Sequence, residues 1–332
     1  MQALTLKQIK APLELEQRSA LIPASGEVVV RLKAAALNRR DYWITQGMYP
    51  GIEPPVVLGS DGAGVVSQVG DGVDESWVGR EVIINPSLDW GDVQSYQGKA
   101  FTILGLPRDG TFATEVTVPA TQLHAKPAHL NWQEAAALPL AGVTAYRAVF
   151  SQGELQSDQT MLVTGIGGGV ATFALQCGVA AGANVWVTSS SAEKIQRAVE
   201  LGAAGGFNYR EENWWKEMSK QAGAPNLIID SAGGAGYGAL LNLAAPGGRI
   251  VNYGATAGPP EKLDLFKVFW KQLSIQGSTM GSPTDFVAML ELVNKHEIRP
   301  LIDRVMSLAE GNDALNLMKS SPQFGKYVLA ID

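Results

Sequence analysis

A run of glycines lies between a strand pattern and a helix pattern near the middle of the chain. The apolar residues Met161 to Val163 predict a strand, and the segment Gly165-Ile166-Gly167-Gly168-Gly169-Val170 follows almost directly. A helix is predicted to begin near Ala171. Glycines let phosphate oxygens approach the backbone, and a helix N-terminus offers N–H groups and the positive end of its dipole. The segment therefore predicts a turn that binds the pyrophosphate of a dinucleotide.

The glycines match the dinucleotide fingerprint G-x-G-x-x-G only in part. Read from Gly165, the last glycine is replaced by Val170; read from Ile166, the first is isoleucine and the last is Ala171. A tight structural turn is the alternative interpretation. The preceding strand, the following helix and the pattern downstream all agree with a dinucleotide site, so we favour that interpretation.

Strand and helix patterns alternate from residue 161 to residue 253, which predicts parallel strands joined by right-handed helical crossovers. Residues 1 to 124 instead read as short alternating strands with Gly and Pro at the joints. Asn131, with Glu134 three residues later, predicts a capped helix start. Two helices and a closing strand are predicted after Pro283, and the segment from Asn85 to Gly110 predicts a separate lobe of low regularity.

Length and composition limit the classes of protein to consider. A chain of 332 residues is too long for one ordinary core, so two domains are expected. No apolar run is long enough to cross a bilayer and no secretory signal pattern is present, so we expect a cytoplasmic protein without a membrane partner. The net charge of -6 lacks a basic patch, so a nucleic-acid partner is not expected. The single Cys177 excludes an internal disulfide and a zinc site with several thiolates.

The residues after the next strand bear on the choice of cofactor. About 20 residues past the glycines, a site that prefers NAD places Asp or Glu on the ribose 2′-hydroxyl. Here the segment Thr188-Ser189-Ser190-Ser191 follows the strand, and Lys194 is close behind. Hydroxyls and an ammonium can hold a 2′-phosphate, so NADP(H) is favoured. The alternative is that Ser191 only caps the next helix, and both interpretations are compatible.

Six segments, in this order and spacing, identify a family. They are AALNRRDYWITQGMYP (35–50), VLGSDGAGVV (57–66), DGTFATEVTVPA (109–120), LPLAGVTAYRAV (138–149), the glycine turn, and GKYVLAID (325–332). With them the chain resembles the medium-chain dehydrogenase/reductase superfamily, and within it the zinc-free quinone oxidoreductase and enoyl reductase branch. The resemblance covers nearly the whole chain.

The resemblance implies an α/β fold with two parts. One is a GroES-like, β-rich catalytic domain made of residues 1–124 and 279–332. The other is a Rossmann domain with a doubly wound parallel sheet, residues 125–278, that binds NADP(H). We further predict a homodimer formed through the strand 273–278, which would lie at the edge of the Rossmann sheet.

Zinc alcohol dehydrogenases of the same superfamily carry a Cys ligand where this chain has Asn38, and a Gly-His-Glu motif where it has Gly59-Ser60-Asp61. Neither an amide nor a hydroxyl replaces a thiolate or an imidazole as a zinc ligand. The lobe from Asn85 to Gly110, which holds four Cys ligands of a structural zinc in those relatives, has no Cys here. The sequence therefore predicts that neither metal site is present. The three histidines, His124, His129 and His296, lie outside these motifs and are expected to be surface or packing residues.

Without a metal, the chemistry that the resemblance implies is delivery of hydride from NADPH to a quinone or an α,β-unsaturated carbonyl. Asn38 and Tyr42 are the implied catalytic residues, as hydrogen-bond donors to the developing oxyanion, and Tyr42 could also deliver a proton. The alternative for Tyr42 is packing against Trp43 at a helix start. Asp61 is expected to orient neighbouring loops.

The resemblance also implies a set of residues around the nucleotide. They are Thr144, Gly167, Gly168, Gly169, Val170, Ser189, Ser190, Lys194, Tyr209, Ser231, Tyr253, Gly254, Ala255 and Lys326. Arg39 and Arg40 are expected to be solvated or ion-paired, although one could face a cofactor phosphate. Two other functions stay open: a non-catalytic family member that keeps its NADPH site, and a zinc-free alcohol or carbonyl dehydrogenase.

Overall fold

The computed structural model describes residues 1–320 and 322–332 and divides into two compact units. The first unit comprises Met1–Ala141 and Ser282–Asp332, and the second comprises Gly142–Gly281. The sequence placed the first boundary at residue 125. The first unit extends further because the helix Trp132–Ala137 packs on the strands of that unit.

Strands and helices are numbered along the chain. The strands are β1 (Gln2–Leu6), β2 (Glu14–Gln17), β3 (Glu27–Ala36), β4 (Val56–Val57), β5 (Asp61–Val69), β6 (Glu81–Ile84), β7 (Ser87–Leu88), β8 (Thr102–Ile103), β9 (Glu115–Pro119), β10 (Leu123–Ala125), β11 (Thr160–Val163), β12 (Asn184–Ser189), β13 (Gly205–Asn208), β14 (Leu227–Asp230), β15 (Arg249–Asn252), β16 (Ser274–Gly277), β17 (Ile302–Ser307) and β18 (Lys326–Ala330).

The helices are α1 (Arg39–Thr45), α2 (Trp132–Ala137), α3 (Pro139–Tyr146), α4 (Gly169–Ala180), α5 (Ala192–Glu200), α6 (Trp214–Ala222), α7 (Tyr237–Leu243), α8 (Leu265–Trp270), α9 (Pro283–His296) and α10 (Gly311–Ser320). As predicted, α2 begins with a capping box in which Asn131 and Glu134 bond each other's backbone N–H groups. Within the described part of the chain, no helix is both long and apolar enough to cross a bilayer.

The first unit is built on a mainly antiparallel sheet in the order β10-β6-β5-β3-β18-β17, with β9 also paired to β3. The C-terminal strand β18 pairs antiparallel with β3, so that Val328 lies opposite Ala36. On the other side of β3, Asp61 of β5 also lies opposite Ala36. This register brings the first residues of β5 and β18 to the end of β3, directly before α1. Fully buried apolar side chains such as Leu4, Leu32 and Phe112 form the core beside the sheet.

The predicted lobe is a loop that contains one short hairpin. Strands β7 and β8 pair antiparallel, and the rings of Trp90 and Phe101 meet edge to face with their centroids 5.3 Å apart. Trp90 is 2% exposed, and its indole N–H donates to the Val93 carbonyl at 3.0 Å. An aromatic pair therefore gives the lobe a small apolar core of its own.

The second unit contains, in its described residues, a six-stranded parallel sheet in the order β13-β12-β11-β14-β15-β16. This is the strand order of a doubly wound Rossmann fold, in agreement with the predicted alternation. The central strands are short apolar runs, and Leu162, Ile228 and Ile250 are fully buried. Because the strands are parallel, the residues that follow each of them meet at the carboxyl edge of the sheet.

Candidate functional site

The glycine turn links β11 to α4 at the carboxyl edge of the sheet. Gly165 and Gly167 have φ values of 62° and 141°, a region that favours glycine, and Gly168 is the N-cap of α4. The Gly165 N–H donates to the Thr188 hydroxyl at 3.1 Å, and the Ile166 N–H donates to the Thr188 carbonyl at 2.8 Å. The turn is therefore held against β12.

The space beside this turn suits a phosphate group. A Cβ atom added to Gly165 or Gly168 would meet no atom within 4 Å. The first N–H groups of α4, at Gly169 and Val170, belong to a helix start, where backbone donors have no intrahelical acceptor. Open space and unused donors at a positive helix end are what a pyrophosphate requires, so the residues fit a dinucleotide. The helix begins two residues earlier than the sequence predicted.

The end of β12 carries the residues predicted to hold a 2′-phosphate. Ser189 is 5% exposed and its hydroxyl accepts from the Ser191 N–H at 3.1 Å. Ser191 caps α5 by accepting from the Lys194 N–H at 3.3 Å, so the predicted cap is present. Ser190 is exposed and Lys194 is partly exposed in the first turn of α5. The local structure thus combines a helix cap with the exposed Ser190 and the partly exposed Lys194.

Other predicted cofactor residues follow neighbouring strands. Tyr209 comes directly after β13 and is 45% exposed. Ser231 follows β14 and Tyr253 follows β15, so both lie at the carboxyl edge of the sheet. Burial raises the pKa of the Tyr253 phenol to about 12, so this group stays neutral.

The loops after β14 and β15 are joined through their backbones. Thr256 N–H donates to the Ser231 carbonyl at 3.0 Å, and Ala257 N–H donates to the Ala232 carbonyl at 2.8 Å. Gly254 lies close to Ser231, since a Cβ at Gly254 would be 3.2 Å from the Ser231 carbonyl oxygen. The predicted residues at 231 and 253–255 therefore form one connected surface at the carboxyl edge.

Asp230, the last residue of β14, forms hydrogen bonds with groups at several strand ends of this edge. The sequence patterns do not predict a role for it. Its carboxylate is 2% exposed and accepts from the Thr164 hydroxyl at 2.6 Å, the Gly233 N–H at 2.9 Å and the Asn252 amide at 3.0 Å. These partners follow or end three adjacent strands. A polar residue that ends the otherwise apolar run Leu-Ile-Ile-Asp is the signal that could have identified it.

Two predicted cofactor residues are not part of these strand ends. Thr144 lies in α3 and is 6% exposed. Lys326 belongs to the first unit, where it is the first residue of β18. Its ammonium donates to the Asn38 side-chain oxygen at 2.6 Å and to the Asp61 carboxylate at 2.9 Å.

Asn38, Asp61 and Lys326 form a buried polar triad at the end of β3. Their exposures are 7%, 0% and 4%. The Asn38 amide nitrogen donates to Asp61 Oδ2 at 2.8 Å, the oxygen that also accepts from Lys326. Asp61 Oδ1 accepts from the Leu140 N–H at 2.7 Å, so the carboxylate also anchors the start of α3, as expected for a residue that orients nearby segments.

Arg40 corrects an expectation of the sequence. It was expected to be solvated or ion-paired, but it is 8% exposed, and its guanidinium donates to the Ser60 hydroxyl at 2.6 Å and the Leu104 carbonyl at 3.0 Å. Its guanidinium carbon also lies 5.1 Å from the centroid of the Tyr49 ring. Arg40 is buried because α1 begins immediately after β3 and directs its side chain to the lobe.

Tyr42 and Arg39 lie on the same short helix. The Tyr42 ring packs edge to face on Trp43 with centroids 5.2 Å apart, which is the packing considered as the alternative to catalysis. Arg39 is half-buried, stacks over both rings at about 6 Å and donates to the Met318 carbonyl. Tyr42 is only partly buried, so this packing leaves part of its side chain exposed.

Asn38 and Ser60 stand where zinc alcohol dehydrogenases carry zinc ligands, and they do not suit a zinc ion. Asn38 and Ser60 are each bonded by a cation, the ammonium of Lys326 and the guanidinium of Arg40. Both side-chain oxygens therefore already accept N–H bonds, and neither an amide nor a hydroxyl replaces a thiolate or an imidazole as a zinc ligand. Across residues 1–320 and 322–332, no three His, Cys, Asp or Glu side chains are grouped to hold a metal. His124 instead packs on Phe286, and His129 bonds the Ile298 carbonyl.

Two protein families match parts of this chain. Residues 24–128 match the family described as alcohol dehydrogenase GroES-like domain, and residues 169–295 match the family described as zinc-binding dehydrogenase. The zinc-type alcohol dehydrogenase-like protein YogA of Leptosphaeria maculans is 36% identical, with 99% of both chains covered. The chain belongs to the medium-chain dehydrogenase/reductase superfamily. It is an oxidoreductase of this superfamily, whose members bind a nicotinamide cofactor.

Two further relatives show the range of the superfamily around this oxidoreductase. The synaptic vesicle membrane protein VAT-1 homolog of Homo sapiens is 30% identical, with 96% of this chain and 82% of that protein covered. A crystal structure named NAD-dependent alcohol dehydrogenase superposes with a TM-score of 0.94 at 35% identity, with all of both chains covered. The names of these relatives differ in cofactor and function. The cofactor preference and substrate of this chain must therefore be argued from its own residues.

Proposed function

We propose that this oxidoreductase is an NADPH-dependent, metal-free enzyme that reduces a quinone or an α,β-unsaturated carbonyl. The observation that carries the proposal is the replacement of metal ligands by the neutral groups of Asn38 and Ser60, each bonded by a buried cation. A site of this kind has no Lewis acid to activate a simple carbonyl. Conjugated acceptors do not need one, because conjugation already lowers the barrier to hydride addition.

The residues of the first unit suit the charge that develops in such a reduction. NADPH supplies the hydride, and the acceptor oxygen then gains negative charge, which hydrogen-bond donors stabilise. The Asn38 side-chain nitrogen has two N–H bonds, of which one is donated to Asp61. The second has no acceptor among the described residues and is the proposed donor to that oxygen. The Tyr42 phenol is the proposed source of the proton.

The preference for NADPH rests on the end of β12. Lys194, Ser189 and Ser190 offer an ammonium and two hydroxyls in the place where an NAD site carries an acidic residue. The test is Lys194→Ala and Ser189→Asp in fluorescence titrations. Each charge-assisted bond is worth roughly 1.5–3 kcal/mol, so Lys194→Ala should weaken NADPH binding by about tenfold or more and leave NADH binding nearly unchanged. A parent that prefers NADH, or variants that bind NADPH as the parent does, would show that the serines only cap α5.

Turnover assays separate the proposed function from its alternatives. A quinone and an enone should be reduced with NADPH, whereas a saturated ketone and a simple alcohol should react far more slowly. Tight NADPH binding without turnover of any of them would indicate a non-catalytic family member. Comparable rates for a simple alcohol would favour a zinc-free alcohol dehydrogenase.

We also propose that the protein forms a homodimer through the second unit. β16 is paired only on its β15 side among the described residues, so its outer edge has unused backbone donors and acceptors. α8, which directly precedes it, exposes Leu265, Phe266, Phe269 and Trp270 at 64%, 60%, 63% and 72%. An apolar patch beside an open strand edge supports pairing with a second copy.

A further inference from the structure

The direction of the Asn38 amide is determined by two opposite charges. Its oxygen lies 2.6 Å from the ammonium of Lys326, which can only donate, and its nitrogen lies 2.8 Å from Asp61 Oδ2, which as a carboxylate oxygen only accepts. Rotating the amide by 180° would place N–H against N–H and oxygen against oxygen. The flipped orientation would therefore lose both bonds and add two repulsions.

The backbone of Asn38 is held as firmly as its side chain. The Asp41 carboxylate accepts from the Asn38 N–H at 2.7 Å, and Asn38 is the N-cap of α1. The side-chain torsions are then fixed by Lys326 and Asp61, both of which are almost completely buried. Charged groups at such depth are strongly destabilising unless they are paired with good geometry, and here each is the other's partner at 2.9 Å.

We propose that Lys326 is a positioning residue that acts through Asn38: it holds the amide so that one N–H faces Asp61 and the other is left for the substrate oxygen. The inference rests on the proposed function, in which that second N–H stabilises the acceptor oxygen. It replaces the expected role of Lys326 as a cofactor ligand. Because β18 pairs with β3, the last strand of the chain supplies the group that orients a residue near its beginning.

A double-mutant cycle tests whether Lys326 acts through Asn38. The variants are Lys326→Met, Asn38→Ala and the two combined, assayed with NADPH and an enone or quinone. Loss of an oxyanion donor costs on the order of 10²–10³ in kcat, and a misplaced donor costs on the order of tenfold to a hundredfold. Lys326→Met should therefore lower kcat by about tenfold to a hundredfold with KM changed far less. In the Asn38→Ala background the same substitution should have almost no further effect.

The same variants distinguish positioning from cofactor binding. If Lys326 bound a phosphate, Lys326→Met would weaken NADPH binding and its effect would add to that of Asn38→Ala. Either result would overturn the positioning role. Lys126→Met is the matched control, since Lys126 belongs to the same unit, has a side chain only 9% exposed, and bonds Glu81 and the Leu130 carbonyl instead. It should leave kcat unchanged.

Lys326→Met leaves the buried Asp61 carboxylate without its cationic partner, so folding needs its own control. The variant Lys326→Met/Asp61→Asn removes both charges and keeps an oxygen for the Leu140 N–H. It should show a similar loss of kcat with a cooperative unfolding transition. A kcat equal to that of the parent in this variant would overturn the proposal.

Exchange of the Asn38 side-chain amide protons, followed by NMR without substrate, gives a readout independent of turnover. The parent should show slow exchange of the N–H that faces Asp61, and Lys326→Met should accelerate it at least about tenfold. Equal exchange in both would contradict positioning. If the parent reduces no quinone or enone, the proposed function fails, and the exchange result still decides what Lys326 does to Asn38.

Discussion

Replacing Gly168 by alanine adds a single methyl group, which should weaken nucleotide binding and leave folding unaffected. Gly168 is the N-cap of α4 with φ −74° and ψ 158°, a conformation that alanine adopts without strain. The added methyl group would meet no atom of the protein within 4 Å. The folded chain should therefore accept it, while the space proposed for the pyrophosphate becomes smaller.

The two effects of Gly168→Ala can be estimated separately. Fewer conformations of the unfolded chain stabilise the variant by roughly 0.4–1 kcal/mol, and the poorer N-cap preference of alanine costs about 0.5–1 kcal/mol. These terms nearly cancel, so the free energy of unfolding should hardly change. A methyl group at the helix start pushes a phosphate away from the backbone donors. Loss of one charge-assisted bond of about 1.5–3 kcal/mol weakens binding by about tenfold to a hundredfold.

The assay is a fluorescence titration with NADPH, combined with urea unfolding of the same samples. Gly236→Ala is the matched control, because Gly236 is also an N-cap, at the start of α7, with φ −70° and no atom within 4 Å of an added Cβ. It should alter neither stability nor binding. Unchanged NADPH affinity in Gly168→Ala would refute the pyrophosphate site, and equal weakening in both variants would show a general effect of helix N-caps.

Three further results are expected. Purified protein should contain no stoichiometric zinc and keep its activity after treatment with a chelator; about one tightly bound zinc per chain, found by metal analysis, would overturn this. Phe266→Glu/Trp270→Glu should shift the mass measured by light scattering from dimer to monomer, and a parent that is already monomeric at micromolar concentration would contradict the proposed dimer. Burial raises the pKa of Asp41 to about 6, so the folded chain binds the carboxyl proton of Asp41 more tightly than the unfolded chain does. The stability that this bound proton contributes is therefore lost as pH rises from about 4 through 6. Urea midpoints of Asp41→Asn should therefore rise relative to the parent over this range, and a constant difference would contradict the assignment.

Local signals predicted part of the second unit. The alternation of apolar strands and helices, the glycine turn and the Ser191 cap are all read from neighbouring residues. The sequence patterns do not predict β13, α6 or α8. The sequence predicts that α4 begins near Ala171, two residues after its actual start at Gly169. Glycine is a poor helix former, so Gly169 gives no sign that the helix has begun. The capping box at Asn131 was recognised because both of its partners lie within four residues.

Contacts between distant segments could not be predicted in the same way. Lys326 and Asn38 are 288 residues apart, and only the pairing of β18 with β3 brings them together. The burial of Arg40 follows from the position of the lobe carbonyl at Leu104, which no periodicity reveals. Arg40 is a charged residue that is buried, whereas the aromatic residues of α8 are apolar residues that are exposed on the single chain.

The triad at the end of β3 also explains why the proposed substrates are conjugated. A metal ion polarises a carbonyl by accepting its lone pair, whereas an ammonium already bonded to Asn38 and Asp61 has only N–H bonds to offer. Its positive charge is largely balanced by the adjacent carboxylate at 2.9 Å, so its field on a substrate is weak. What it retains is the ability to fix a neutral amide donor. A single oriented hydrogen bond suits an oxygen whose charge is spread over a conjugated system, and it is too weak to replace a metal at an isolated alkoxide.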